Sequence, residues 1–164
     1  STIIRNARLL DIRGHSAPLR DILIQEGRIA AIGQQGMAAP DTATIFEAAD
    51  RMAMPGLINA HSHGHGALAK GLGDQWTLEL LLNAGPWINA GRMLEDKYLS
   101  AQLNAAEMVR KGCTAVYDFY AEFPVPSPEG MHAVASAYAD VGMRAVIAPM
   151  VADRSLSSKR YLDC

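Results

Sequence analysis

The chain has 164 residues, 49% of them apolar and 20% charged, with a net charge of -2. That balance describes globular material able to bury a substantial core, and it excludes a disordered tail. The absence of a Lys/Arg cluster discounts nucleic acid, and the absence of a bilayer-length apolar run or a basic-then-apolar leader discounts a membrane, so a cytoplasmic chain is expected.

The first third reads as short strands with turn punctuation. Thr2 to Leu10 is a strand, Gly14 to Pro18 a loop, and Asp21 to Ile24 a second strand closed by the Glu26-Gly27 turn. Arg28 to Ile32 is its hairpin partner, and Thr44 to Ala48 resumes an extended pattern before Pro55 and Gly56 break it. Residues 1–54 therefore form a small all-β unit.

From Leu57 the pattern changes to strands alternating with helices, the signature of a parallel sheet. Gly56 to His61 is an apolar strand, and a helical stretch begins at Thr77 to Leu82. Leu94 to Lys111 carries Leu99, Leu103, Ala106 and Val109 at helical spacing, and Gly112 ends it. Thr114 to Tyr120 is a β-branched and aromatic strand, Pro128 to Val141 an amphipathic helix stopped by Gly142, and Arg144 to Val151 another strand. Residues 55–152 make up this second segment, and 153–164 read as an irregular tail. Cys113 and Cys164 form neither a spaced metal motif nor a disulfide framework, and Cys113 is expected to be a small buried side chain.

The chemistry concentrates in Pro55-Gly56-Leu57-Ile58-Asn59-Ala60-His61-Ser62-His63. Alternation along a strand sends His61 and His63 to one side and Ser62 to the other, so both imidazoles can reach one ion. Two neutral imidazoles suit zinc and leave room for further ligands and a reactive water. His65 follows at the same interval, but the flanking Gly64 and Gly66 favour a loop or pocket-lining role over a third ligand. Asp118, near a strand end, either lines the mouth of the sheet and orients a ligand histidine or faces the helices as a capping carboxylate. Trp76 and Trp87 flank the first helical stretch and are expected to pack it against the sheet; lining a substrate pocket is the alternative. His15 and His132 read as surface residues.

The run Asp21-Ile22-Leu23-Ile24-Gln25-Glu26-Gly27-Arg28-Ile29-Ala30-Ala31-Ile32-Gly33, followed by Met54-Pro55-Gly56-Leu57-Ile58-Asn59-Ala60-His61-Ser62-His63, resembles the metal-dependent amidohydrolase superfamily. Glu107 to Tyr120 is similar to the second barrel strand and its preceding helix in the branch of cytosine, guanine and adenosine-derivative deaminases and triazine hydrolases. The resemblance implies an α/β fold, a partial (β/α)8 TIM-type barrel preceded by a small N-terminal β-sandwich unit. It maps the family's first metal-binding histidines onto His61 and His63 and implies a divalent metal, zinc first, with iron or manganese as alternatives. The family completes its site with histidines after later strands and an Asp after the eighth, and a nearby Glu or His handles protons.

A full barrel alone needs ~250 residues, so the reading is the N-terminal part of such an enzyme. The expected reaction is hydrolysis of a non-peptide C–N bond, with deamination of an aminated N-heterocycle as the preferred subclass and a small molecule as substrate. The alternative is an inactive, truncated remnant acting as a binding or assembly module. An open sheet edge would then need a cover, such as a second copy in a homo-oligomer.

Overall fold

The computed structural model describes residues 1–151, so the tail expected at 153–164 lies outside the described residues. The chain divides into two compact units, Ser1–Pro55 and the segment from Gly56 onward. No helix among the described residues is long and apolar enough to cross a membrane.

The first unit is one five-stranded sheet. Its strands are β1 (Thr2–Leu9), β2 (Leu19–Gln25), β3 (Arg28–Gly33), β4 (Thr44–Glu47) and β5 (Met52–Ala53). The order is β3-β2-β1-β4, with β5 also pairing β1. The β2–β3 hairpin turns through Glu26 (φ 50°) and Gly27 (φ 73°). Two consecutive positive φ values are what a two-residue type I′ turn requires. Sequence reading missed β5 and the parallel pairing of β1 with β4 and β5, because a return connection leaves no hairpin signal.

One buried charge organises this unit. Asp21 accepts hydrogen bonds from the Asn6, Gly36 and Met37 amides at 2.9, 2.8 and 3.1 Å, and from the Arg5 guanidinium. Burial would raise its pKa, but the Asn6 amide, Arg5 and the Met37 amide together hold the carboxyl below the ordinary value.

The second unit is a parallel sheet, β6 (Leu57–Ser62), β7 (Cys113–Tyr120) and β8 (Arg144–Pro149), in that spatial order. A short 3₁₀ segment, Gly64–Ala69, and helices α1 (Leu78–Asn89) and α2 (Leu94–Arg110) link β6 to β7. Helix α3 (Pro128–Val141) links β7 to β8. Ser127 caps α3 by accepting from the Gly130 amide, Pro128 opens it, and Gly142 ends it at φ 79°.

The core joins Ala101, Ala105 and Met108 of α2 to Val116 and Tyr120 of β7 and to Val134, Ala137 and Tyr138 of α3. Helices α2 and α3 thus lie on one side of the sheet. The apolar face expected for α2 differs: Leu99, Leu103 and Val109 are each more than 40% exposed. Small alanines let the helix backbone come close to its neighbours, so they occupy the packed face and the leucine stripe turns away. Cys113 is half-buried at the core's edge.

Helix α1 buries none of its residues. Leu78, Leu80, Leu81, Leu82 and Trp87 of this helix are all exposed. Trp87, expected to pack against the sheet, is 85% exposed. Trp76 stands over Gly73 in the turn before this helix. His15 and His132 are exposed, as expected.

Candidate metal centre

The histidine pair owes its direction to a bulge. Asn59 pairs with Val116 and Ser62 with Asp118, so three steps on β6 match two on β7. Both outer residues face the helices: the Asn59 amide reaches Met108 Sδ at 3.2 Å, and Ser62 Oγ accepts from Asn104 at 2.9 Å. Strict alternation counted from Asn59 would have put His61 on the helix side. The extra residue reverses the phase, and His61 and His63 emerge on the opposite face at the C-terminal end of the strand.

There the two rings converge. His61 Nε2 and His63 Nε2 lie 3.1 Å apart. Two nitrogens each ~2.0–2.1 Å from one tetrahedral ion would be ~3.3 Å apart, so the pair fits two positions of such a site. His63 Nδ1 lies 3.2 Å from the Phe119 carbonyl oxygen. A carbonyl can only accept, so Nδ1 carries the proton and the Nε2 lone pair is left for a ligand bond. The Phe119 ring supports both imidazoles, with centroids at 4.7 Å from His61 and 5.9 Å from His63. Among the described residues no group of three or more His, Cys, Asp or Glu side chains is arranged to hold an ion.

His65 lies in the 3₁₀ segment, its ring 5.5 Å from that of His63. Its Nδ1 accepts from the Ala121 amide, and its carbonyl accepts from the Arg92 guanidinium. Burial, then the charges of His63 and Arg92, push its pKa down to about 4, against the pull of the Phe119 carbonyl. It is a neutral imidazole at pH 7. Trp76 stands outside the ring cluster formed by the three histidines, Phe119 and Tyr117.

Asp118 is fully buried on the helix-facing side of β7. Its Oδ1 accepts from the Gly64 amide at 2.8 Å and its Oδ2 from the Tyr138 hydroxyl at 2.8 Å. Burial pushes its pKa above the ordinary value, while the Gly64 amide, Tyr138 and the charge of His63 pull the other way. Sequence reading passed over Tyr138, Asn104, Ser100 and Phe119. The only available signal was position: Tyr138 lies one helical turn after Val134 on the packed face of α3, and Phe119 alternates with Asp118.

Two imidazoles thus converge at the end of a strand in a parallel α/β sheet, and comparison with known proteins gives the chain a lineage. The model of the amidohydrolase family matches residues 52–163, and the chain belongs to that family. It is 35% identical over 150 residues to a 5-methylthioadenosine/S-adenosylhomocysteine deaminase of Desulforamulus reducens, covering 88% of this chain and 33% of the relative. It is 32% identical over 130 residues to a 5'-deoxyadenosine deaminase of Methanocaldococcus jannaschii, covering 79% of this chain and 29% of the relative. The chain therefore spans about a third of the length of the curated relatives it matches. A mutant of the atrazine chlorohydrolase TrzN of Arthrobacter aurescens, solved with zinc and atraton, superposes with a TM-score of 0.77 at 22% identity. That match covers 98% of this chain and 37% of the other, and the likeness is one of fold.

Proposed function

We propose that this chain supplies the first metal ligands of a hydrolase that deaminates an aminated N-heterocycle, with a purine nucleoside as the preferred substrate class. The observation that carries the reading is the pair of imidazole Nε2 atoms 3.1 Å apart at the end of a parallel strand, in a chain of the amidohydrolase family. Relatives named as deaminases of adenosine derivatives support the substrate class. In this reading the parallel sheet with its helices is the first part of a (β/α)8 barrel, and the five-stranded sheet is part of a β-sandwich. Barrel enzymes place their chemistry at the C-terminal ends of strands, where His61 and His63 lie.

A bound divalent ion, zinc before iron or manganese, would supply the Lewis acidity that makes hydroxide available near neutral pH. His61 and His63 would hold it through Nε2. The Phe119 carbonyl keeps the His63 proton on Nδ1, and the Phe119 ring fixes the plane of both imidazoles. His65 has its Nδ1 occupied by the Ala121 amide, so in the neutral ring the proton sits on Nε2.

The test is ammonia release by the full chain from 5'-deoxyadenosine, methylthioadenosine, S-adenosylhomocysteine and an amino-triazine, with zinc, manganese or iron added. The expected result is turnover of a nucleoside that His61→Ala abolishes. Opening of a cyclic amide without ammonia would overturn deamination. No turnover with any metal would favour a non-enzymatic binding or assembly module.

A further inference from the structure

We propose that Asp118, Tyr138 and Asn104 are positioning residues for the metal site, acting by holding the two residues that flank His63, Ser62 through its hydroxyl and Gly64 through its backbone. The inference rests on the reading of His61 and His63 as metal ligands. On the N-terminal side, Ser62 Oγ accepts from Asn104 Nδ2 at 2.9 Å. On the C-terminal side, the Gly64 amide donates to Asp118 Oδ1 at 2.8 Å, and the Gly64 carbonyl accepts from Ser100 Oγ at 2.8 Å. The two sides are joined. Asn104 Nδ2 also donates to the Tyr138 hydroxyl at 3.0 Å, and that hydroxyl donates to Asp118 Oδ2 at 2.8 Å. One connected network, drawn from α2, α3 and β7, thus ends on the two residues that flank His63.

Its setting argues for more than cohesion. Asp118 and Ser100 are fully buried, and Tyr138 and Ser62 nearly so, in a layer otherwise packed with Ala101, Ala105, Val116 and Val134. Replacing a buried polar cluster by apolar groups of the same shape is often neutral or stabilising. What the polar groups add is direction: a fixed amide at residue 64 and a fixed hydroxyl at residue 62. Gly64 is required by the same closeness. A Cβ there would lie 2.6 Å from Asp118 Oδ2 and 2.7 Å from the Tyr138 hydroxyl.

The test is cobalt(II) titration of the full chain, followed by its visible absorption, beside thermal melting of the metal-free protein. Tyr138→Phe removes one hydroxyl and keeps the ring, so the fold is retained. It is expected to weaken cobalt binding ~10-fold, the scale set by groups that orient ligands from behind. Asp118→Ala is expected to weaken it further, and Asp118→Asn, which keeps an acceptor for the Gly64 amide, to restore part of the loss. Tyr120→Phe is the matched control. Its hydroxyl is also buried on β7 but bonds to Glu122, so it is expected to lower the melting temperature and leave cobalt affinity unchanged. Wild-type affinity in Tyr138→Phe, or equal weakening in Tyr120→Phe, overturns the positioning role alone. A wild-type chain whose cobalt binding is indifferent to His61→Ala and His63→Ala overturns the metal reading as well.

Discussion

Glu122→Gln removes a charge from a site that has no neutral substitute. Glu122 lies in the loop after β7 with its side chain 11% exposed, and its partner Lys97 is 14% exposed. Its Oε1 accepts from Lys97 Nζ and from Ser127 Oγ at 2.9 Å; its Oε2 accepts from the Tyr120 hydroxyl at 2.8 Å and the Ser127 amide at 2.9 Å. These bonds tie the start of α2 to the cap of α3. A glutamine amide would set N–H against N–H or O–H on one side and leave the Lys97 ammonium without its counter-charge. Breaking such a pair costs roughly 3–5 kcal/mol, and the residual exposure here argues for the lower end, ~3 kcal/mol.

A second route reaches the same size. Burial alone would raise the Glu122 pKa, yet Lys97, the Ser127 amide and Tyr120 bring it from 4.5 down to about 2, which is on the order of 3 kcal/mol of preference for the folded, ionised state. Because the folded value is depressed, this stability is present above pH 4.5 and lost as pH falls toward 2. Thermal melts should therefore place the variant ~6–12 °C below wild type at pH 7, with the gap narrowing below pH 4.5. A gap under ~2 °C at pH 7, or one that stays constant down to pH 3, would refute the reasoning.

Asp21→Ala strips the acceptor from three amides and Arg5, and is expected to cost ~3 kcal/mol at pH 7. The Gly36 and Met37 amides would then exchange hydrogen faster; unchanged protection would contradict the role given to this carboxylate. The Asp21 contribution, with its folded pKa lowered, should be complete above pH ~3.9 and fall away as the solution becomes more acid. Glu26→Asn places a residue that tolerates positive φ in the type I′ turn of the β2–β3 hairpin. The urea midpoint should rise by the equivalent of ~0.5 kcal/mol, and a fall would count against the turn assignment.

Much of this layout is legible in the residues themselves. The Glu26-Gly27 turn, the Gly112 and Gly142 helix stops and the alternation of strands with helices fix the element order, because each depends on local backbone preference. Local preference does not reach further. The bulge that turns His61 and His63 away from the helices exists only in the pairing of β6 with β7, and no residue in Asn59 to Ser62 signals it. Helix α2 carries two apolar stripes, and the choice of Ala101, Ala105 and Met108 over the leucines is made by how closely its neighbours can approach. The histidine pair stood out because two imidazoles at a strand end have few other uses. Tyr138 and Asn104 did not, since a tyrosine or asparagine on a helix face has many.

Zinc K-edge X-ray absorption of the zinc-loaded chain addresses the central claim directly. Imidazole nitrogen scattering is expected at ~2.0–2.1 Å and should disappear in the His61→Ala/His63→Ala variant. A zinc environment that is the same in wild type and variant would contradict that claim.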